Sequence, residues 1–168
     1  MKHTETNYAP VTPAIVAQLE TIVGKQNVIF GDAERMQDYS HDEVVGAEYR
    51  HMPEVIVKPS SAAENSAIMK LANRERIPVT PRGAGSGLSG GAVPVFGGIL
   101  LSVERMNHIL EIDRENMVVV VEPGVVTNAI NDAVQEFGLF YAGYPMSVEM
   151  CFIGGNVAEN AGGGRAIK

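Results

Sequence analysis

The chain has 168 residues, 13 basic against 20 acidic, a net charge of −7, and 45% hydrophobic and 20% charged positions. That balance predicts a folded domain with one sizeable core, and its negative field excludes nucleic acid as the main ligand. The single Cys151 allows no internal disulfide, and neither the opening MKHTETNYAP nor any later stretch has the apolar run of a signal peptide or membrane span; the expectation is a cytoplasmic protein, with any inner-membrane contact peripheral and through partners.

In chain order, TPAIVAQLETIVG predicts a helix, with Thr12 as N-cap, Pro13 at the first helical position, Ile15, Val16, Leu19, Ile22 and Val23 on one face, and Gly24 as the stop. VIF reads as a short strand, DAERMQDY as a short helix capped by Asp32, and SHDEVVGAEYRHMP as a loop. EVIVKP is strand-like, SSAAENSAIMKLANRER opens with the capping box Ser61-x-x-Glu64 and carries Ile68, Met69 and Leu71 on a helix, and IPVT is the next strand. A glycine-rich stretch follows. Beyond it GGILLSV, HILEID and MVVVVEP read as strands, and TNAINDAVQEFG as a helix capped by Thr127 and ended by Gly138. The order is β-α-β, then mostly β, then α, with no repeat longer than the glycine motifs.

The glycine-rich stretch VTPRGAGSGLSGG, residues 79 to 91, contains GSGLSG, a literal match to the G-x-G-x-x-G dinucleotide fingerprint. A Rossmann loop needs a strand before the glycines and a helix after them, so that a pyrophosphate meets the helix N-terminus. IPVT supplies the strand, but Pro94 and the pair Gly97-Gly98 stand where the helix should run. Glu104 and Asp113 both lie near the distance expected of a ribose-binding acid, which decides little. A P-loop is excluded because no Lys-Ser or Lys-Thr follows. What remains is bare backbone. Glycines 83, 85, 87, 90 and 91 permit positive φ, so successive N–H groups can line an anion-binding concavity, with Arg82 as a candidate charge and Ser86 and Ser89 as hydroxyl donors. A flexible linker is the alternative, against which Pro81, Arg82, Leu88 and Pro94 interrupt the polar composition of linkers.

A second glycine-rich segment, YPMSVEMCFIGGNVAENAGGGRAIK, closes the sequence, and VEPGVV between the two puts Pro123 and Gly124 where a strand meets a helix. Two such segments suggest a ligand long enough to touch both, of dinucleotide size. His3, His41, His51 and His108 have no metal-ligand spacing, and Cys151 beside Phe152 reads as a packing residue.

TPRGAGSGLSGGAVP, LSVERMNHILEID, VEPGV and IGGNVAENAGG, in this order, resemble the FAD-binding (PCMH-type) domain of the vanillyl-alcohol oxidase type, in its glycolate oxidase D-subunit and D-lactate dehydrogenase branch. The resemblance runs from about Pro13 onward. It implies an α+β fold of two subdomains, here about residues 10–80 and 81–168, the second incomplete, with FAD pyrophosphate between them. Carried over residue by residue, Pro81, Arg82, Gly83, Ala84, Gly85, Ser86, Gly87 and Leu88 match the pyrophosphate loop, and Glu122, Pro123 and Gly124 the turn beside the adenosine. Pro145 and Ser147 match a further FAD-contacting turn, and Ile153, Gly154, Gly155 and Asn156 the strip toward the flavin. Some relatives bind flavin through a histidine in the pyrophosphate loop; none stands there in this sequence, so non-covalent FAD is expected.

The chemistry implied is hydride transfer from a small 2-hydroxy acid to flavin N5, while a base takes the hydroxyl proton. In the resembling enzymes the base, the carboxylate-binding arginines and any metal come mainly from a later domain, so no catalytic or metal residue is assigned here. Companion flavin or iron-sulfur subunits are the expected partners. Two alternatives stay open: a truncated, non-catalytic interaction module that self-associates, and a dinucleotide-binding regulatory domain without redox chemistry.

Overall fold

The computed structural model describes residues 7–165; the expectation for His3 lies outside them. The first helix, α1 (Pro13–Val23), starts as its sequence dictates: the Thr12 hydroxyl accepts from the Ile15 amide, and Pro13 occupies a position that needs no N–H partner. Asp32 caps the short α2 (Ala33–Gln37) and Ser61 caps α3 (Ala62–Glu75). The return half of the Ser61 capping box is displaced by one residue, because the Glu64 carboxylate accepts from the Ser60 amide at 2.6 Å.

These helices pack on a four-stranded sheet of β1 (Val28–Ile29), β2 (Val55–Val57), β3 (Val79–Arg82) and β4 (Ile99–Ser102), in the order β1-β2-β4-β3. Strands β2, β4 and β3 run parallel and β1 antiparallel. The strand alternation sends Val55, Val57, Ile99 and Leu101 to one face, packed with Leu19 of α1 and Ile68 and Leu71 of α3. Ile56 and Leu100 point to the other face and meet Met36 of α2. Coverage of both faces explains why β2 and β4 read as unbroken apolar runs. Strand β3 runs on through Pro81 and Arg82. Proline is tolerated there because β3 is an edge strand. Since β4 lies between β2 and β3, the glycine stretch is the connection between two paired parallel strands, and no helix follows it.

The remaining chain forms an antiparallel hairpin of β5 (Ile109–Asp113) and β6 (Val118–Val121), followed by α4 (Thr127–Gln135) and α5 (Ile153–Ala158). Val125, Ile130 and Ile153 form its core, against Ile109, Val119 and Val121. The α+β class is the one expected, with three local corrections. Met117 is not in β6 but in the turn, at φ 54°, with Asp113 accepting from the Asn116 amide at 2.9 Å. Thr127 is not the N-cap of α4; Val126 is, and the Thr127 hydroxyl instead donates to the Cys151 carbonyl at 3.2 Å. Helix α4 ends at Gln135, before Gly138.

Candidate functional site

A cleft of about 380 Å³ opens at the carboxyl ends of β3 and β4, the end of a parallel sheet where ligands generally bind. Pro81, Gly83, Ala84, Gly85, Ser86 and Gly87 form one wall. Pro123, Pro145, Ser147, Gly154, Gly155 and Asn156 form the other, brought close by the antiparallel bridge between Val126 and Phe152. The walls are in close contact: a Cβ on Gly83 would lie at van der Waals distance from the opposite one, 3.7 Å from Phe152 Cβ and 3.8 Å from Gly155 Cα. Gly85 holds φ at 75°. Among the described residues, none accepts a hydrogen bond from the backbone N–H groups of residues 83 to 89. A concave run of unpaired amides, one of them at positive φ, is the donor set that suits a phosphate or pyrophosphate.

Arg82 differs from the sequence expectation. It lines the cleft, but the residue is 8% exposed and its guanidinium donates to the Asp38 carbonyl at 3.0 Å and the His41 carbonyl at 2.7 Å. Burial pulls the guanidinium below its ordinary pKa, an effect that Tyr39, Asp42, Asp38 and Glu104 oppose. It is therefore a buried strut of the loop, not a free charge facing the cleft.

Asp42, at the cleft wall, went unseen in the sequence because it sits in an apparently plain loop. It is 4% exposed, and its carboxylate accepts from the amides of Val44 at 3.0 Å and Gly90 at 2.8 Å. The one available signal was an acid inside a short polar loop, too common a pattern to single out.

Four expected residues lie off the cleft wall. Leu88 is 76% exposed. The Glu122 carboxylate turns to His108, accepting from its amide at 2.9 Å and pairing with Nδ1 at 2.7 Å, and these two bonds hold its pKa down. Gly124 is there for close approach, since a Cβ would strike the Val103 carbonyl and lie 2.7 Å from that of Met106. Ile153 points into the core. Residues 153 to 156 are not a loop strip but the first residues of α5, where Asn156 donates to the Thr127 hydroxyl at 2.5 Å and Thr127 lies 3.3 Å from Cys151 Sγ. Cys151 is buried, as expected of a packing residue. Gly163 forms a bridge with Tyr144 and lies apart from the cleft.

Neither acid near the ribose-binding distance reaches the cleft wall. Asp113 closes the hairpin turn, and Glu104 accepts from Lys58 at 2.6 Å and from Tyr39 and Ser102 at 3.0 Å each. Burial opposes the Glu104 charge, but these bonds outweigh it and hold the carboxyl below its ordinary 4.5. Burial likewise opposes the Lys58 charge, and Glu104 and Tyr39 outweigh it, raising Lys58 above 10.5. Glu104 thus contributes stability above pH 4.5 that is lost as pH falls through its lower folded value, and Lys58 contributes stability below pH 10.5 that is lost as pH rises through its higher one. Urea unfolding of wild type and Glu104→Gln should differ by about 1 kcal/mol at neutral pH, given the partial solvent exposure of the pair. That gap should narrow in acid; a gap that persists in full there would show that the pair contributes nothing pH-dependent.

Comparison with known proteins places the chain in a family. Residues 53–168 match the family model described as FAD binding domain. The chain belongs to this FAD-binding domain family. It is 43% identical over 165 residues to a D-lactate dehydrogenase of Anaerostipes hadrus, covering 98% of this chain and 34% of that protein. It is 39% identical over 158 residues to the glycolate oxidase subunit GlcD of Bacillus subtilis, covering 94% of this chain and 33% of that one. The chain thus spans about a third of the length of these curated relatives. Among solved structures, an alkyldihydroxyacetonephosphate synthase superposes with a TM-score of 0.79 at 21% identity, over 90% of this chain and 30% of that one, a likeness of fold. No helix among the described residues is long and apolar enough to cross a membrane.

Proposed function

We propose that this chain is the FAD-binding part of a flavin-dependent 2-hydroxy acid oxidoreductase, with FAD held non-covalently in the cleft between the glycine connection and α5. The observation that carries this is the run of unpaired amides at residues 83 to 87, which line the cleft opposite Gly154 and Gly155, in a member of an FAD-binding family. The residues present fit the cofactor. Gly83, Ala84, Gly85, Ser86 and Gly87 would hold the pyrophosphate by backbone N–H groups, Pro123 would border the adenosine side, and Pro145, Ser147, Gly155 and Asn156 would flank the dinucleotide toward its flavin end. Bound FAD would supply a hydride acceptor for the α-hydrogen of the substrate.

The substrate class follows from relatives named for D-lactate and glycolate, both small 2-hydroxy acids. The subunit designation of the second relative supports companion subunits as partners. The expected division near residue 80 is, on this reading, moved past β4, because Ile99–Ser102 pairs with β2 and β3: one α+β subdomain is the four-stranded sheet with α1 to α3, the other the hairpin with α4 and α5.

If the cleft cradles a pyrophosphate, the protein in its full natural length should bind FAD more tightly than FMN or riboflavin, since each added phosphate or adenosine gains contacts. Competition titration by flavin fluorescence measures the order. Equal affinity for FAD and FMN would overturn the assignment.

A further inference from the structure

A chain containing Gly83, Gly85, Gly87, Gly90 and Gly91 within nine positions has more backbone freedom to lose than any other stretch of this protein, and that loss weakens binding unless the loop is already ordered. The loop has few ties of its own in its first half. Its external ties come largely from one segment, residues 38 to 43, which precedes the matched domain at 53–168.

Three points of the loop are fixed by that segment. At the root, the Arg82 guanidinium donates to the carbonyls of Asp38 and His41. At the middle, the Gly87 carbonyl accepts from the Glu43 amide at 3.0 Å. At the far end, the Gly90 amide donates to the Asp42 carboxylate at 2.8 Å. The other Asp42 oxygen takes the Val44 amide, so this side chain locks its own loop and the glycine loop together. Buried at 4% exposure, it holds both bonds away from competing water.

We infer that residues 38 to 43 are a clasp that pre-shapes the glycine loop for a pyrophosphate, and that Asp42 is its central positioning residue. This rests on the FAD assignment proposed above. Asp42 does not itself attract the ligand, for its charge is of the wrong sign; it sets the direction in which the unpaired amides of residues 83 to 89 point.

Asp42→Ala in the full-length apoprotein separates this role from a merely structural one. The dissociation constants of FAD and of riboflavin, which has no phosphate, are measured side by side with the thermal midpoint of the flavin-free protein. Loss of a charge-assisted tie should weaken FAD by about tenfold or more and leave riboflavin within about twofold. General damage to the fold would weaken both alike. Asp42→Asn keeps the volume and one acceptor oxygen, so it should fall between wild type and Asp42→Ala, and it carries the measurement should the alanine variant fail to fold. A wild-type preference for FAD over riboflavin that survives in both variants would overturn the clasp. A wild-type protein with no such preference would overturn the FAD assignment itself, and the clasp with it.

Discussion

Gly85→Val should strip the protein of flavin while leaving the four-stranded sheet intact. Gly85 holds φ at 75°, in the left-handed region, and a β-branched residue there costs on the order of 1–3 kcal/mol in backbone strain. The second penalty is steric and specific to this fold. A Cβ on Gly85 would run into the Arg82 guanidinium, which is buried and bonded to the carbonyls of Asp38 and His41. Either the loop swings away or the arginine gives up its carbonyls, each such charged hydrogen bond being worth roughly 1.5–3 kcal/mol. Both outcomes redirect the amides of residues 83 to 89, and the combined penalty corresponds to a loss of about a hundredfold or more in FAD affinity. The loop lies outside the sheet between β3 and β4, so secondary structure by circular dichroism should persist. The flavin-to-protein absorbance ratio of the purified full-length variant gives the answer. A folded Gly85→Val protein with full flavin would make the stretch a mere linker.

Where local chemistry decides the structure, the sequence foretold it. The Thr12, Asp32 and Ser61 hydroxyl and carboxylate caps act within three residues, and each was visible as a short motif. So was the failure of the Rossmann pattern, since Pro94 and the Gly97-Gly98 pair act on their own backbone. Where a distant partner decides, the sequence was silent or misleading. Thr127 carries the ideal cap chemistry, yet its hydroxyl is claimed by Cys151 and Asn156, 24 and 29 residues away. Helix α5 contains Gly154 and Gly155, poor helix formers, and forms because Ile153 is buried against Val125 and Ile130. Arg82 was legible as a charge beside the glycine loop, but its partners, the Asp38 and His41 carbonyls more than 40 positions earlier, were not. Bare backbone was legible at the cleft; the side chains that shape it were not, because their bonds span tens of residues.

When these 168 residues are expressed alone, the expected result is no turnover of glycolate or D-lactate even with FAD supplied, together with self-association. The first half follows from the cleft. Its ionisable side chains among the described residues are Asp42, Arg82, Cys151 and Glu159, and each has partners: Asp42 the Gly90 and Val44 amides, Arg82 two carbonyls, the buried Cys151 the Thr127 hydroxyl at 3.3 Å, and Glu159 the Ser89 hydroxyl at 2.7 Å. No free cation is left among them to grip a carboxylate, and the one exposed carboxylate, Glu159, is shared with the Ser89 hydroxyl, so the cleft holds no pairing of a base with a carboxylate-binding cation. The second half follows from the hairpin. Leu110, Met117, Val118 and Val120 are 61%, 76%, 51% and 43% exposed, and an apolar groove of about 320 Å³ runs between the hairpin and residues 138 to 142. A two-stranded sheet leaves both outer edges unpaired, and edges flanked by exposed apolar side chains recruit other chains. Burying such side chains gains about 25 cal/mol per Å² of apolar surface removed from water, a gain that must offset the lost freedom of the associating chains, so the self-association is expected to be weak and concentration-dependent. Light scattering should therefore give a mass that rises with concentration, and Val118→Lys with Val120→Lys, at exposed hairpin positions, should suppress that rise while leaving the first sheet folded. Robust dye-linked oxidation of either acid by a monodisperse monomer would place the catalytic groups within these residues after all.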